Sequence, residues 1–138
     1  LPEYLLSVVK TKELKQQIKK LEIGLSENWD DQRAINEFGC GATALTTEVV
    51  ILAIFSFLRF SENFQKAVLS SANFKSKEGC DTDCIASLTG TLTGCYLGID
   101  KIPVHWREKV EYRDKLELFS QDLFRLISST DGRVRVKE

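Results

Sequence analysis

Apolar residues recur at helical spacing along almost the whole chain, and no stretch reads as a central strand. Leu14, Ile18, Leu21 and Leu25 follow one another at steps of four, three and four with Lys, Gln and Glu between them. Such a run is an amphipathic helix with one stripe turned to a core. A shorter helical piece is expected from Pro2 to Val9, with the proline at its first position, and another from Asp30 to Phe38. Val49 to Leu58 is apolar except for Ser56 and is bracketed by Glu48 and Arg59. That places a buried helix over about 46–60, too short to span a bilayer. Ser61 is expected to cap the next helix, on which Phe64, Ala67 and Val68 face inward, with Phe74 following. Asp81 opens a helix to about Leu97, and Pro103 begins a short one in which Trp106 and Val110 form the apolar side. The final helix carries Leu116, Phe119, Leu123, Leu126 and Ile127. After the Asp131-Gly132 turn signal, Val134 and Val136 alternate with Arg135 and Lys137, as a frayed tail or a short extended piece. About seven helices joined by short loops predict an all-α fold, with 1–138 as one domain.

Composition narrows what such a domain does. A chain of 138 residues is long enough to bury a real core. Nineteen Lys and Arg against 20 Asp and Glu give a net charge of −1, which argues against nucleic-acid or membrane-surface binding driven by bulk charge. The Lys10, Lys12, Lys15, Lys19 and Lys20 face reads as the solvated side of its helix. The start lacks a signal peptide's basic and apolar regions. The four cysteines, at 40, 80, 84 and 95, include no C-x-x-C pair, and His105 stands alone, so a structural zinc site is poorly supported. Reduced, mostly buried thiols are expected, and with them a cytoplasmic location. There is no Met, which raises the expectation of a chain processed or cut from something longer.

Chemistry concentrates in Gly79-Cys80-Asp81-Thr82-Asp83-Cys84-Ile85-Ala86. Two carboxylates one residue apart stand where a loop turns into a helix, whose free N–H groups and dipole favour anions. One acid suffices as a cap, a role Asp81 could fill. The second, Asp83, adds an oxygen donor of the kind that suits Mg²⁺ or Ca²⁺. Beyond them Ala86, Gly90, Gly94 and Gly98 recur every four residues. Each interior glycine costs about 1 kcal/mol relative to Ala, so the ridge predicts another backbone packed very close against it. Upstream, Gly39-Cys40-Gly41 allows a tight turn or a close approach.

This segment, with Tyr96-Leu97-Gly98-Ile99 and Ile102-Pro103-x-x-Trp106 after it, resembles the ADP-ribosylglycohydrolase family. The family carries Gly-Gly-Asp-Thr-Asp-Thr-Ile-Ala, a small-residue helix, a Tyr-Gly turn and an Ile/Val-Pro-x-x-Trp. Phe38-Gly39-Cys40-Gly41-Ala42 and the apolar helix after it are similar to the family's Gly-x-Gly loop and following helix. The resemblance runs from about Phe38 to Ile127. It implies a multi-helix orthogonal bundle with two Mg²⁺ ions in a cleft, Mn²⁺ being the alternative. Asp81, Asp83 and Cys84 fall on the family's metal-ligand positions, and Gly41 and Ala42 on the nucleotide side of the cleft. The implied reaction is hydrolysis of the glycosidic bond between ADP-ribose and a protein side chain or small molecule.

Two departures qualify that inheritance. Position 84 is Cys where the family has Thr or Ser, and a thiol suits Mg²⁺ poorly. The family's Thr-Asp-Asp-type motif has no counterpart before Phe38, since Asn28-Trp29-Asp30-Asp31 has adjacent acids in the wrong surroundings. The expectation is therefore a C-terminal portion carrying half of a metal site, completed by a missing N-terminal half or by self-association, with no catalytic residue assigned. The alternatives are a degenerate, non-catalytic relative that binds nucleotides or protein, and a structural helical module with Asp81 as a cap. His105 is expected at the surface or as a cap, and Trp29 and Trp106 in core or rim packing.

Overall fold

A computed structural model of the chain describes residues 2–42 and 46–129. These form eight α-helices and a 3-10 turn with no strand among them, the all-α fold that the periodicity predicts. The helices are α1 (Pro2–Val8), α2 (Lys12–Ser26), α3 (Asp31–Phe38), α4 (Thr46–Arg59), α5 (Phe64–Ala72), α6 (Thr82–Leu97), α7 (Val104–Lys109) and α8 (Arg113–Ser129), the 3-10 turn being Ile99–Lys101. The Asp131-Gly132 turn and the alternation at Val134 and Val136 lie outside the described residues. The chain divides into two compact units, Leu1–Ile102 and Pro103–Glu138.

In the first unit α4 is the central element. Ile51, Leu52, Ala53 and Phe55 are buried in one cluster with Ile18, Leu21, Ile35, Phe38 and Ile85. Each large apolar side chain removed from water contributes about 1.5–3 kcal/mol. Trp29, Phe38 and Phe55 continue the packing as a row, with ring centroids 5.7 and 5.8 Å apart. The Trp29 indole donates to Glu27 Oε2 at 2.8 Å, and the same carboxylate pairs with Arg33, which lies over the indole. Trp29 thus packs in the core, and its edge fits only because residue 24 is glycine. A Cβ at Gly24 would sit 2.8 Å from Trp29 Cε3.

The adjacent acids after Trp29 are structural. Asp30 caps α3 by accepting from the Arg33 backbone N–H at 2.8 Å, and Asp31 pairs with Arg59 and accepts from Ser70. Two local expectations change. The α5 cap is Asn63, whose side chain accepts from the Lys66 N–H, rather than Ser61. The glycine ridge meets side chains rather than a neighbouring backbone. A Cβ on Gly90 would find Val68 Cγ2 at 3.6 Å and one on Gly94 would find Phe64 Cε2 at 3.6 Å, both ordinary contacts. Gly98 ends α6 with φ 79°. The line that α6 buries is instead Ile85, Thr89 and Thr93. The threonine hydroxyls donate to the carbonyls of Ile85 and Thr89 at 2.8 and 2.7 Å, so burial leaves neither unsatisfied. α6 packs most extensively on α5 and next on α4.

The cysteines overturn the reduced-thiol expectation. Cys40 and Cys80 are joined by a disulfide, their Cα atoms 4.9 Å apart, while Cys84 and Cys95 are free and exposed. Sequence separation hid the pair, since its members stand 40 positions apart. In the second unit Pro103 occupies the N-cap of α7, and an Arg113–Glu117 ion pair lies along α8. Val110, Leu116, Phe119 and Leu123, read as apolar faces, are exposed. No described helix is long and apolar enough to cross a membrane.

Candidate metal centre

The acidic motif is brought together by the turn from the 73–81 loop into α6. The Asp81 carbonyl accepts from the Ile85 N–H at 3.0 Å, so the helix ladder begins there. Its side chain makes no capping hydrogen bond, so the expected capping role is not taken. The Asp81 carboxyl instead stands with those of Asp83 and the thiol of Cys84, one ligand atom from each lying within 4.8 Å of the others. Asp81 is half-buried, whereas Asp83 and Cys84 are exposed. The three line an open cleft of about 690 Å³ with Thr46, Val49, Val50, Ser87 and Leu88. One wall is the first turns of α4 and the other is α6.

The electrostatics follow from that crowding. A hydrogen bond with the Asp81 carboxyl, then the backbone N–H groups of Asp83 and Cys84, hold the Asp83 carboxyl below the usual carboxylate range. The Cys84 thiol is pushed up, first by its hydrogen bond to Asp81 and then by the charge of that carboxylate. It stays protonated at neutral pH and is a poor nucleophile and a poor ligand. Two carboxylates are hard oxygen donors of the sort a small divalent cation takes, and the neutral thiol is not. The donor set therefore fits Mg²⁺ or Mn²⁺ at Asp81 and Asp83 and departs from that fit at Cys84.

A glycine loop supports the cluster from behind. Gly39 and Gly41 have φ of 83° and 76°, the left-handed region that glycine adopts freely. The Cys40 carbonyl accepts from the Asp81 N–H at 2.9 Å, beside the Cys40–Cys80 disulfide. Gly41 approaches so closely that a Cβ there would lie 2.8 Å from Asp81 Cβ and 2.8 Å from Val49 Cγ2. Gly41 therefore sits against the acidic cluster. Ala42 lies on a neighbouring cleft of about 750 Å³, with Cys40, Glu48, Lys75 and Lys77 among its lining. The side chain that the sequence reading passed over is Glu48. It served there only as a bracket to the apolar run, and its Oε2 accepts from the Gly41 N–H at 2.8 Å. Nothing in local periodicity pairs a helix's first turn with a loop seven residues earlier.

Comparison with known proteins bears on this site. The sequence model described as ADP-ribosylglycohydrolase matches residues 1–133. The match takes in the segment before Phe38, in which the motif resemblance found no counterpart. ADP-ribosylhydrolase ARH3 of Homo sapiens is 28% identical over 109 residues, covering 72% of this chain and 28% of that protein. ADP-ribosylarginine hydrolase Tri1 of Pseudomonas putida (strain GB-1) is 32% identical over 79 residues, or 57% of this chain and 19% of that protein. The corresponding Tri1 of Serratia proteamaculans (strain 568) is 28% identical over 86 residues. The chain thus spans less than a third of the length of these curated relatives. No solved structure matches it.

Proposed function

From the premise that the chain belongs to the ADP-ribosylglycohydrolase family, we propose that it contributes to a Mg²⁺-dependent hydrolase cleaving the glycosidic bond of ADP-ribosylated proteins or small molecules. The observation that carries the proposal is the gathering of Asp81, Asp83 and Cys84 within 4.8 Å at a cleft, in a chain matched by the family over residues 1–133. Asp81 and Asp83 would hold the cation, and Gly41 and Ala42 would lie toward the nucleotide. A bound divalent ion supplies Lewis-acid polarisation and a fixed positive charge. The protein's own part is to hold the two carboxyls close, with the backbone N–H groups of Asp83 and Cys84 favouring the charged form of Asp83 and the loop behind Asp81 fixing its place. Val49, Val50 and Leu88 give the cleft an apolar wall beside the acidic cluster.

Mg²⁺ takes six ligands in near-octahedral geometry and keeps several waters among them, and Asp81 and Asp83 would supply two. The remaining donors, and any second ion, are proposed to come from residues outside this cluster, supplied by an N-terminal half or by a second copy. The match across both compact units supports reading 1–138 as parts of one family domain. Cytoplasmic residence is retained as part of the proposal. The Cys40–Cys80 disulfide runs against it, because reducing compartments keep thiols reduced, and thiol counting on freshly isolated protein decides between them.

The test is metal-dependent thermal unfolding paired with an assay of ADP-ribose release. Mg²⁺ or Mn²⁺ should raise the midpoint, and Asp81→Ala should abolish the rise. An unchanged midpoint in wild type removes the metal site. Release by the isolated chain would contradict the half-site reading, whereas release only with a completing chain would support it. The protonated thiol at Cys84 favours a second reading, a non-catalytic relative that binds nucleotides or protein. Binding of ADP-ribose without hydrolysis in the completed assembly would establish it.

A further inference from the structure

We propose that Glu48 is a positioning residue for the acidic cluster, acting on Asp81 through the backbone of Gly39-Cys40-Gly41. The inference rests on the metal-site reading above and adds a residue that none of the motifs contains. Glu48 lies in the first turn of α4 and is half-buried. Its Oε2 accepts from the Gly41 N–H at 2.8 Å. The carboxylate also fills the space beside Gly39, where any Cβ would collide with it. Glu48 therefore holds both glycines of the loop, one by a hydrogen bond and the other by contact.

Those glycines in turn set the place of Asp81. The carbonyl between them, on Cys40, accepts the Asp81 N–H at 2.9 Å. Gly41 abuts the Asp81 Cβ and leaves no room for a side chain of its own. A shift of the loop consequently moves both the backbone and the Cβ of Asp81. Glu48 is absent from the cleft lining that holds Asp81 and Asp83 and lines the neighbouring cleft instead. Its action on the cluster is through the loop rather than as a ligand. The relevant property of Glu48 is thus an oxygen acceptor at the Gly41 N–H, not its charge.

That distinction sets the experiment. Glu48→Gln keeps a side-chain oxygen that can accept the Gly41 N–H, and Glu48→Ala removes it. Mn²⁺ alone is the probe, titrated calorimetrically into the 138-residue chain, with Asp81→Asn defining the site. Glu48→Ala should weaken Mn²⁺ binding about tenfold, as loss of a supporting partner commonly does, while Glu48→Gln should bind within about threefold of wild type by the same scale. Amide hydrogen exchange without metal supplies the second readout. Exchange at both Gly41 and Asp81 should quicken in Glu48→Ala and stay protected in Glu48→Gln. Equal Mn²⁺ affinity in Glu48→Ala and wild type overturns the inference. So does Glu48→Gln behaving like Glu48→Ala, which would assign the effect to charge. If wild type binds no Mn²⁺ the metal reading falls by itself. Asp81 exchange then decides the positioning role, with unchanged protection in Glu48→Ala overturning it.

Discussion

The residue that separates this site from a pure oxygen cluster is Cys84. Its sulfur stands beside two carboxylates whose charge and hydrogen bond keep the thiol protonated. A neutral thiol offers a hard cation little. A threonine hydroxyl fits the same helix position and matches the Thr of the family motif. Cys84→Thr should therefore tighten Mg²⁺ binding, by about tenfold or about 1.4 kcal/mol, read by calorimetric titration. Weaker binding in that variant would show that the sulfur is itself a ligand and that the bound ion is a softer one. The acids at Asp81 and Asp83 were legible in the sequence because their spacing is local. The chemical state of Cys84 follows from where their carboxyls point, and spacing does not specify that.

At the scale of the helices, glycine carries two opposite meanings in this fold. Gly90 lies in the interior of α6 with Val68 at ordinary contact distance from where a Cβ would stand. Gly24 lies in the interior of α2 with the Trp29 ring pressed against it. Gly90→Ala should stabilise the chain by about 1 kcal/mol through helix propensity. Gly24→Ala should destabilise it by about 1–3 kcal/mol through overpacking. Urea denaturation of the two variants provides the comparison, and a destabilised Gly90→Ala would restore the tight-backbone reading of the ridge. The regular four-residue ridge is the conspicuous pattern in the sequence, and the lone Gly24 is not. Close approach depends on what the opposite surface presents, which no single helix encodes.

The Cys40–Cys80 disulfide belongs to the same scale. It ties the loop between α3 and α4 to the start of α6, and closing a loop of 40 residues stabilises by about 4 kcal/mol in the chain-entropy account. Cysteine count left both the reduced and the paired states open. The pairing became visible only once α4 and α6 packed together and brought the two loops to one end of the core.

For the whole molecule, the distribution of apolar surface is the main fact. Within the Leu1–Ile102 unit α4 is buried along most of its length; within the Pro103–Glu138 unit Phe119, Leu123 and Phe124 on α8 are 67%, 58% and 73% exposed. Apolar surface left uncovered within a unit is open to a second surface, of this chain or of another copy. Concentration-dependent self-association is expected in sedimentation velocity. Phe119→Glu with Phe124→Glu should reduce it at a stability cost below about 0.5 kcal/mol. A monodisperse wild-type monomer at high concentration would refute this. The apolar spacing on α8 was plain in the sequence as helical amphipathicity, but amphipathicity does not state what lies opposite the stripe.

The sequence alone determined the helices, most of their ends and the acidic cluster, because all of these arise from interactions within a few residues along the chain. It also carried the family resemblance, since ordered motifs survive without coordinates. Tertiary structure decided that Cys40 meets Cys80, that Glu48 meets Gly41 and Gly41 abuts Asp81, and that the small-residue ridge faces side chains. Those outcomes depend on which helix surfaces pack against which, and the hydrophobic drive to bury them is non-directional, so a helix's own sequence does not name its partner.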